Sequence, residues 1–388
     1  MKREVAIIGY GALKIGKYPE KSDNELAIES IRLSLEDSGV PKDDVDGLFT
    51  TPNYLDRMGL QLSTIAEYMR VSPKSMAEIS CGGTAAGLTI KYAMNEILLG
   101  NIDIAVCYGT ETRRSMIEGY YKGKITNMFE PTTQPHISGG TIWAYACSAR
   151  RYMHEYHAKE EHFAMAAVRD REAATKNPYA YFRTPITVDD VLNSTILCTP
   201  IKLLDSSAAR DGAAAVVLAS KDKARRFSDA PVYLRAVGEH HDNSLFVPTD
   251  RRDKSISSFT ATKEAAKDAF KMAKCKSNDI DIAEIYAPFS PQELIIPEDL
   301  GFFTRGGMIK AIQDGSTEIG GEIPINTDGG LLSRGHPAMI TPFYESISII
   351  RQLRGEAGKN QVEGAEIGLM HCEGGMLNNC MVFIFQRG

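Results

Sequence analysis

Several things are missing from this sequence, and each absence removes a class of function. No stretch approaches the ~20 consecutive apolar residues of a membrane-spanning helix. The start, Met1-Lys2-Arg3-Glu4 followed by Val5-Ala6-Ile7-Ile8, is charged but has too short an apolar segment for a signal peptide, so it reads as the first strand of a cytoplasmic protein. Positive charge is not in excess: 44 Lys and Arg against 50 Asp and Glu give a net charge of -6. A nucleic-acid partner is therefore not expected, because binding phosphates needs a cationic face. The seven cysteines, at 81, 107, 147, 198, 275, 372 and 380, form no CxxC pair, which argues against a zinc ribbon and a disulfide framework. His154, His157 and His162 lack HExxH spacing and an acidic ligand set, so they read as a solvated helix face and no metal is expected. A GxxxxGK phosphate loop is also missing.

What remains is a globular profile, 43% apolar and 24% charged, in a chain of 388 residues, long enough for two domains or one large two-part fold. Residues 5–9 have a buried-strand pattern. A helix is expected from the Ser22-Asp23-Asn24 cap to Gly39, with Leu26, Ile28, Ile31, Leu33 and Leu35 on its apolar side. A strand at 47–50, a helix at 60–70, a strand leading to Cys81, a helix ending at Gly100 and a strand at 102–108 follow. This alternation predicts an α/β fold with a mostly parallel sheet covered by helices on both faces. From about 113 to 199 the alternation lapses. That region holds Pro131, Pro135, Gly139-Gly140 and helices near 143–157 and 160–176, and reads as an insertion over one end of the sheet, where α/β folds bind ligands. A buried strand returns at 211–219. Strand, helix, polar linker and strand then recur at 231–237, 262–273, 276–281 and 282–286, followed by a helix at 338–354 and strands at 365–370 and 381–385. Two similar halves, 1–225 and 226–388, point to an internal duplication.

Three segments hold chemically useful residues. In Ser80-Cys81-Gly82-Gly83 a cysteine stands at the start of a helix, where unpaired N–H groups and the helix dipole favour a thiolate. Taken alone, Cys81 reads equally well as a buried cysteine packed as a small hydrophobe. Gly335-His336-Pro337 puts a histidine in a turn before a helix, and His371-Cys372-Glu373-Gly374-Gly375 reads as a turn after a buried strand. A histidine can take the proton of a cysteine nucleophile near neutral pH. A second cysteine can move a proton at carbon when its acidity suits the task. The N–H groups of Cys81 and Gly374 are placed to hold an oxyanion. Singly, His336 could simply hold a loop and Cys372 could be core; three such segments in two matching halves favour chemistry.

These three motifs, Ser80-Cys81-Gly82-Gly83, Gly335-His336-Pro337-Ala338 and Cys372-Glu373-Gly374-Gly375, resemble the nucleophile, GHP and CxG motifs of the thiolase superfamily. The stretches Tyr145-Ala146-Cys147-Ser148-Ala149-Arg150-Arg151-Tyr152-Met153-His154-Glu155-Tyr156 and Ser207-Ala208-Ala209-Arg210-Asp211-Gly212 are similar to its SCP2-like and archaeal branch. The resemblance implies a five-layered αβαβα fold from two duplicated halves, with 113–199 as a loop domain over the site. It implies that Cys81 carries the acyl group, that His336 activates it, and that Cys372 removes or returns the α-proton of a CoA thioester. It also implies coenzyme A as a substrate, a homodimer formed through the N-terminal sheet, and a small partner subunit built from a zinc ribbon and an OB-fold.

One motif departs from the pattern. Where thiolases carry an NEAF-like or HDxF-like motif whose first residue joins the GHP histidine in an oxyanion hole, this chain has Tyr286-Ala287-Pro288-Phe289-Ser290. Tyr286 either packs, leaving the hole to His336, or donates a hydrogen bond through its phenol. The change suits a bulky or aromatic 3-oxoacyl chain, of the benzoylsuccinyl-CoA type, in a degradative thiolysis. An acetoacetyl-CoA-forming thiolase and a catalytically impaired scaffold subunit are the alternatives. A decarboxylating or HMG-CoA-synthase-like condensing enzyme is disfavoured by Cys372, which such enzymes generally lack.

Overall fold

The cap expected at Ser22 is formed. In the computed structural model, which describes residues 3–52, 61–112, 141–242, 255–375 and 378–388, the Glu25 N–H donates to the Ser22 hydroxyl at 3.3 Å and the Ser22 N–H donates to the Glu25 carboxylate at 2.8 Å. Strand β1 (Val5–Ala12) precedes this cap, and the helix it opens is α1 (Asp23–Ser38), closed by Gly39 at φ 66°. Next come β2 (Gly47–Thr50), α2 (Gln61–Met69), β3 (Ser75–Glu78), α3 (Ala85–Leu99) and β4 (Ile104–Glu111). The insertion supplies α4 (Ile142–Tyr156), α5 (Glu160–Lys176), α6 (Val188–Leu192) and the small pair β5 (Ile196–Cys198) and β6 (Ile201–Lys202). Its first part, 113–140 with Pro131, Pro135 and Gly139-Gly140, lies outside the described residues. After β7 (Gly212–Ser220) and α7 (Lys221–Phe227), the second half contains β8 (Val232–His241), α8 (Thr260–Ala273), β9 (Ile282–Ile285), α9 (Gln292–Asp299), α10 (Met308–Gln313), α11 (Thr341–Arg354), β10 (Ile367–Gly374) and β11 (Asn379–Arg387).

Nine strands join in the order β3-β2-β4-β7-β1-β8-β11-β10-β9. This order is nearly a palindrome: β1, β7, β4 and β2 stand in the first half as β8, β11, β10 and β9 stand in the second. Beside β9, Ala283 bridges in parallel to Ile325, in the place that β3 takes beside β2. Only two residue pairs, Ala6 with Tyr233 and Ile7 with Val232, join the halves across β1 and β8.

The sheet is mixed, not mostly parallel. The β2–β3, β2–β4 and β9–β10 pairings are parallel, and the other five are antiparallel. Strand β11 turns straight back from β10, and the long insertion returns β7 against β4, so neither arrives through the helical crossover that parallel pairing requires.

Alternate residues of each central strand face two different cores. Ile7, Met381, Phe383 and Phe385 join Ile90 and Ile97 of α3 and Phe343 and Ile350 of α11 in a central cluster. Ala6 and Ile8 face Ile31 of α1 and Ile65 of α2 on one outer side. Val382 and Ile384 face Ala265 and Ala269 of α8 on the other. The layers are therefore outer helices, sheet, α3 with α11, sheet, outer helices: the five-layered arrangement expected from the sequence. Both faces of the inner strands are buried, which is why they read as continuous apolar runs. Among the described residues no helix is long and apolar enough to cross a membrane.

Candidate functional site

Strand β3 ends just before Cys81, which heads a 3-10 turn (Gly82–Thr84) that runs into α3. Cys81 is half-buried. The Thr84 hydroxyl donates to the Cys81 carbonyl at 2.9 Å and closes the turn. Gly83 could be nothing else: a Cβ there would lie 2.1 Å from the Glu373 carbonyl oxygen and 3.0 Å from the Tyr286 hydroxyl. The cysteine turn is thus threaded between the end of β10 and the ring of Tyr286. From β11, the Asn379 side-chain amide lies 2.9 Å from Cys81 Sγ and 3.1 Å from Thr84 Oγ1.

His336 sits in the mirrored position of the second half. It follows a short helical turn (Gly330–Arg334) and leads through Pro337 and a 3-10 turn (Ala338–Ile340) into α11. Its backbone is held by the segment that leads into β7: the His336 N–H donates to the Ala208 carbonyl, and the Arg210 N–H to the His336 carbonyl, each at 3.2 Å. The ring is held at both nitrogens, with Ser207 Oγ 3.2 Å from Nδ1 and the Tyr286 hydroxyl 2.6 Å from Nε2. The tautomer consistent with a phenol donating to Nε2 has its proton on Nδ1, donated to Ser207. The two rings meet edge to face, centroids 5.3 Å apart at 87°. Both sequence expectations for Tyr286 hold in part: its ring packs in the central cluster and its hydroxyl bonds the histidine.

Cys372 is not in a turn. It lies within β10, opposite Met381 of β11, because the ladder continues to Gly374 and its partner Asn379. The thiol is fully buried, and burial, with the Glu345 carboxyl next in weight, holds it well above the usual thiol range. A Cβ on Gly87 of α3 would lie 2.9 Å from its Sγ, so the helix gives way to make room for it. The adjacent Glu373 is bonded to the Tyr145 hydroxyl at 2.6 Å, and burial pushes its carboxyl up to about 8. Burial likewise lifts Glu345 to about 8, against the lowering pull of Arg334. Arg334 is itself buried and paired with Asp328 at 2.5 Å. Both glutamates are thus mostly protonated at neutral pH, and the wall around Cys372 carries little negative charge.

The five residues expected from the sequence come together. Cys81 meets Gly374, where a Cβ would stand 2.9 Å from the Cys81 carbonyl. The neighbouring Gly83 meets Tyr286, Tyr286 meets His336, and Cys372 lies two positions before Gly374 on the same strand. Sequence reasoning missed three contributors. Asn379 had a visible signal, a polar Asn378-Asn379 pair opening an otherwise apolar last strand. Ser207 lay in a stretch noted only for its resemblance, and nothing marked Tyr145 as a partner of Glu373. The histidine expectation also needs correction. His154 and His157 are exposed at the end of α4, but His162 belongs to α5 and is buried. It caps the start of that helix, accepting from the Lys159 N–H at 3.0 Å.

A buried acid thiol, a second thiol with an amide donor, and a histidine tied to a phenol form a set suited to acyl transfer and to proton transfer at carbon. Comparison with known proteins agrees with this chemistry. Residues 243–387 match the thiolase C-terminal domain-like family. The chain is 36% identical to an acetyl-CoA acetyltransferase of Methanothermobacter thermautotrophicus, over 99% of this chain and all of that one. It is 31% identical to the 17-hydroxy-3-oxo-4-pregnene-20-carboxyl-CoA lyase of Mycobacterium tuberculosis, over 94% of each. It is 27% identical to the benzoylsuccinyl-CoA thiolase subunit BbsB of Thauera aromatica, over 97% of this chain and 96% of that one. Among solved structures, a chain of the Ltp2-ChsH2(DUF35) aldolase superposes with a TM-score of 0.86 at 28% identity, covering 98% of this chain and 97% of that one.

Proposed function

Because the chain belongs to the thiolase superfamily, we propose that Cys81, His336 and Cys372 are the residues through which it transfers acyl groups between CoA thioesters. In the cleavage direction the Cys81 thiol gives its proton to His336, and Sγ attacks the C3 carbonyl carbon of a 3-oxoacyl-CoA. The C2–C3 bond breaks, its electron pair passes to C2 beside the thioester carbonyl, and the Cys372 thiol protonates C2. The shortened CoA thioester leaves and the acyl group remains on Cys81. The thiol of a second coenzyme A then attacks that thioester and gives its proton to the Cys372 thiolate. Cys81 departs as a thiolate and recovers its proton from His336. The N–H groups of Cys81 and Gly374 hold one oxyanion; His336, with Tyr286 beside it, serves the other.

The observation that supports this reading most is the crowding at Gly83, where the cysteine turn, the end of β10 and the Tyr286–His336 pair share one point. Cys372, a thiol kept neutral by burial, stands ready to protonate C2 in the cleavage direction and as its thiolate serves the reverse condensation. Relatives that include a benzoylsuccinyl-CoA thiolase subunit support a bulky or aromatic acyl chain. Purified protein incubated with 3-oxoacyl-CoA substrates tests the scheme by intact mass and by thiolysis rate. An acyl adduct on Cys81 and faster thiolysis of aromatic than of acetoacetyl substrates are expected. Equal or better activity on acetoacetyl-CoA sinks the bulky-chain assignment and leaves an acetyl-CoA acetyltransferase.

A second reading has one observation behind it. A phenol bonded to an imidazole at 2.6 Å could pass its own proton to His336 as it takes that of a 3-hydroxyl group; the C2–C3 electron pair then goes to C2, which Cys372 protonates, and a ketone is released, a retro-aldol cleavage in keeping with the lyase and aldolase names of two relatives. A ketone product with no acyl adduct on Cys81 would favour it. In either case we assign the protein to the cytoplasm and take its halves as 1–225 and 226–388. The edge strand β3, with Met76 exposed, is the pairing edge for a homodimer. A zinc-ribbon/OB-fold subunit completes the CoA channel, and co-expression followed by size-exclusion light scattering tests both contacts.

A further inference from the structure

The strand that completes the sheet brings to Cys81 a side chain for which the scheme above has no use. Asn379 is the first residue of β11. Its backbone is held on both sides, opposite Gly374 of β10 and opposite His241 of β8. Its side chain therefore projects from a fixed ladder, and its amide lies between Cys81 Sγ at 2.9 Å and Thr84 Oγ1 at 3.1 Å.

The two ends of a carboxamide look alike in outline, so the choice between oxygen and nitrogen must come from the partners. Thr84 decides it. A hydroxyl has one proton, and the Thr84 proton is committed to the Cys81 carbonyl at 2.9 Å. Toward Asn379, Thr84 Oγ1 can only accept. The atom facing it is therefore the NH2 group, whose two protons reach Thr84 and the sulfur of Cys81. We propose that Asn379 is a catalytic residue, a fixed donor to Cys81 Sγ that favours the thiolate both as nucleophile and as leaving group.

The donor acts selectively. A thiolate is a strong acceptor and a thioester sulfur a weak one, so the bond strengthens in the two states where sulfur bears charge and relaxes in the acyl-enzyme between them. No proton leaves the amide; the proton of Cys81 still goes to His336. The titratable groups around the cysteine turn are Tyr286 and His336 on one side and Cys372 and Glu373 on the other. Glu373, lifted to about 8, is mostly uncharged at neutrality and opposes the thiolate little. Stabilising a thiolate also makes it a weaker nucleophile, with a Brønsted coefficient of about 0.4–0.5, so a tenfold gain in thiolate costs about threefold in intrinsic attack.

This role rests on the acyl-transfer reading, but its test does not. The rate of Cys81 alkylation by iodoacetamide, followed on the Cys81 peptide by mass spectrometry across pH, reports the thiolate directly. With Asn379→Ala the profile should move about one unit toward higher pH, since a hydrogen bond to a charged group is typically of that strength. The two profiles should then cross: the variant reacts about threefold slower at low pH and about threefold faster at its high-pH plateau. Mere loosening of the turn would not produce a crossing. Asn379→Asp, with a carboxylate facing the sulfur, should move the profile further, and Thr84→Val, which frees the amide to turn, should move it less. Profiles that coincide with the wild type in Asn379→Ala and Asn379→Asp, at unchanged melting temperature, overturn the proposal. Failure of the acyl-transfer reading shows separately, as no acyl adduct on wild-type Cys81 with any 3-oxoacyl-CoA.

Discussion

In the first half of the molecule α3 grows out of a 3-10 turn headed by Cys81; in the second, α11 grows out of the matching turn behind His336 and Pro337. The strands beside them match as well. Thr50 pairs with Tyr108 as Ile285 pairs with His371, which sets Gly109 of β4 level with Cys372 of β10. At these two levels the bulk is exchanged. A Cβ on Gly109 would lie 2.5 Å from Ile340 and 3.1 Å from Phe343, the third residue of α11. At the second level the strand carries the larger group, Cys372, and it faces the third residue of α3 from the first half, Gly87, where a Cβ would lie 2.9 Å from the sulfur. The slot beside β4 is filled from the helix of the other half, the slot beside β10 from its own strand. Two halves of matching strand order thus form an asymmetric site by exchanging volume between a strand and the helix that faces it.

The comparison can be broken most forcefully at the heads of the two helices. Cys81→Ala should lower thiolysis by about 10^4-fold or more, since loss of a nucleophile removes the covalent route altogether. Cys372→Ala should cost about 10^2–10^3-fold, the scale of a lost general acid. It should still let Cys81 accept an acyl group from a simple acyl-CoA, read by intact mass; equal loss of acylation in both variants would erase the division of labour between the halves. Tyr286→Phe removes one hydrogen bond to His336 Nε2 and should reduce turnover about tenfold, with KM little changed if Tyr286 does not line the acyl pocket. Gly87→Ala and Gly109→Ala each force a contact below normal van der Waals distance and should destabilise the protein by about 1–3 kcal/mol, seen as a melting temperature lower by several degrees. Only Gly87→Ala should also slow α-proton exchange, because only its new methyl presses on Cys372.

The smallest effect concerns charge. Burial raises the Glu373 carboxyl from an ordinary 4.5 to about 8, so the folded protein keeps a proton that the unfolded chain releases in that interval. Stability associated with this group is therefore fully present at low pH, falls as pH rises from 4.5 towards 8, and is level above. Glu373→Gln preserves the bond to Tyr145 and removes the titration, so its melting temperature should depend less steeply on pH across that window. An unchanged slope would place the titration elsewhere, with Glu345 the next group to replace.

How much was legible follows from what each residue depends on. Cys81, His336 and Cys372 stood out because each lies within two residues of glycine or proline, residues whose backbone limits leave a local signature. The duplication was legible because helix, linker and strand recur with the same polarity. Strand direction was not, since β7 and β11 look the same from either end and only the route of the connecting chain orients them. Nor was the extension of β10 through Cys372, because Glu373-Gly374-Gly375 reads locally as a turn and is held extended by β11. Ser207 was silent, and the polar signal at Asn379 named no partner, for the same reason: His336 and Cys81 are brought to them by the fold and lie far away in sequence.

Strand β1 lies at the centre of the sheet, with β7 on one side and β8 on the other, and its Val5 pairs with Ser220. A ribosome making this chain therefore releases the first strand more than two hundred positions before either of its neighbours exists. Strands β2, β3 and β4 with α3 can pair locally as they emerge, whereas both strand pairings of β1 are of high sequence separation, the kind that slows folding and exposes unpaired strand edges. The capped α1 helix, packed against β1, is the available cover during that wait. Of the nine strands, the earliest waits longest for its neighbours.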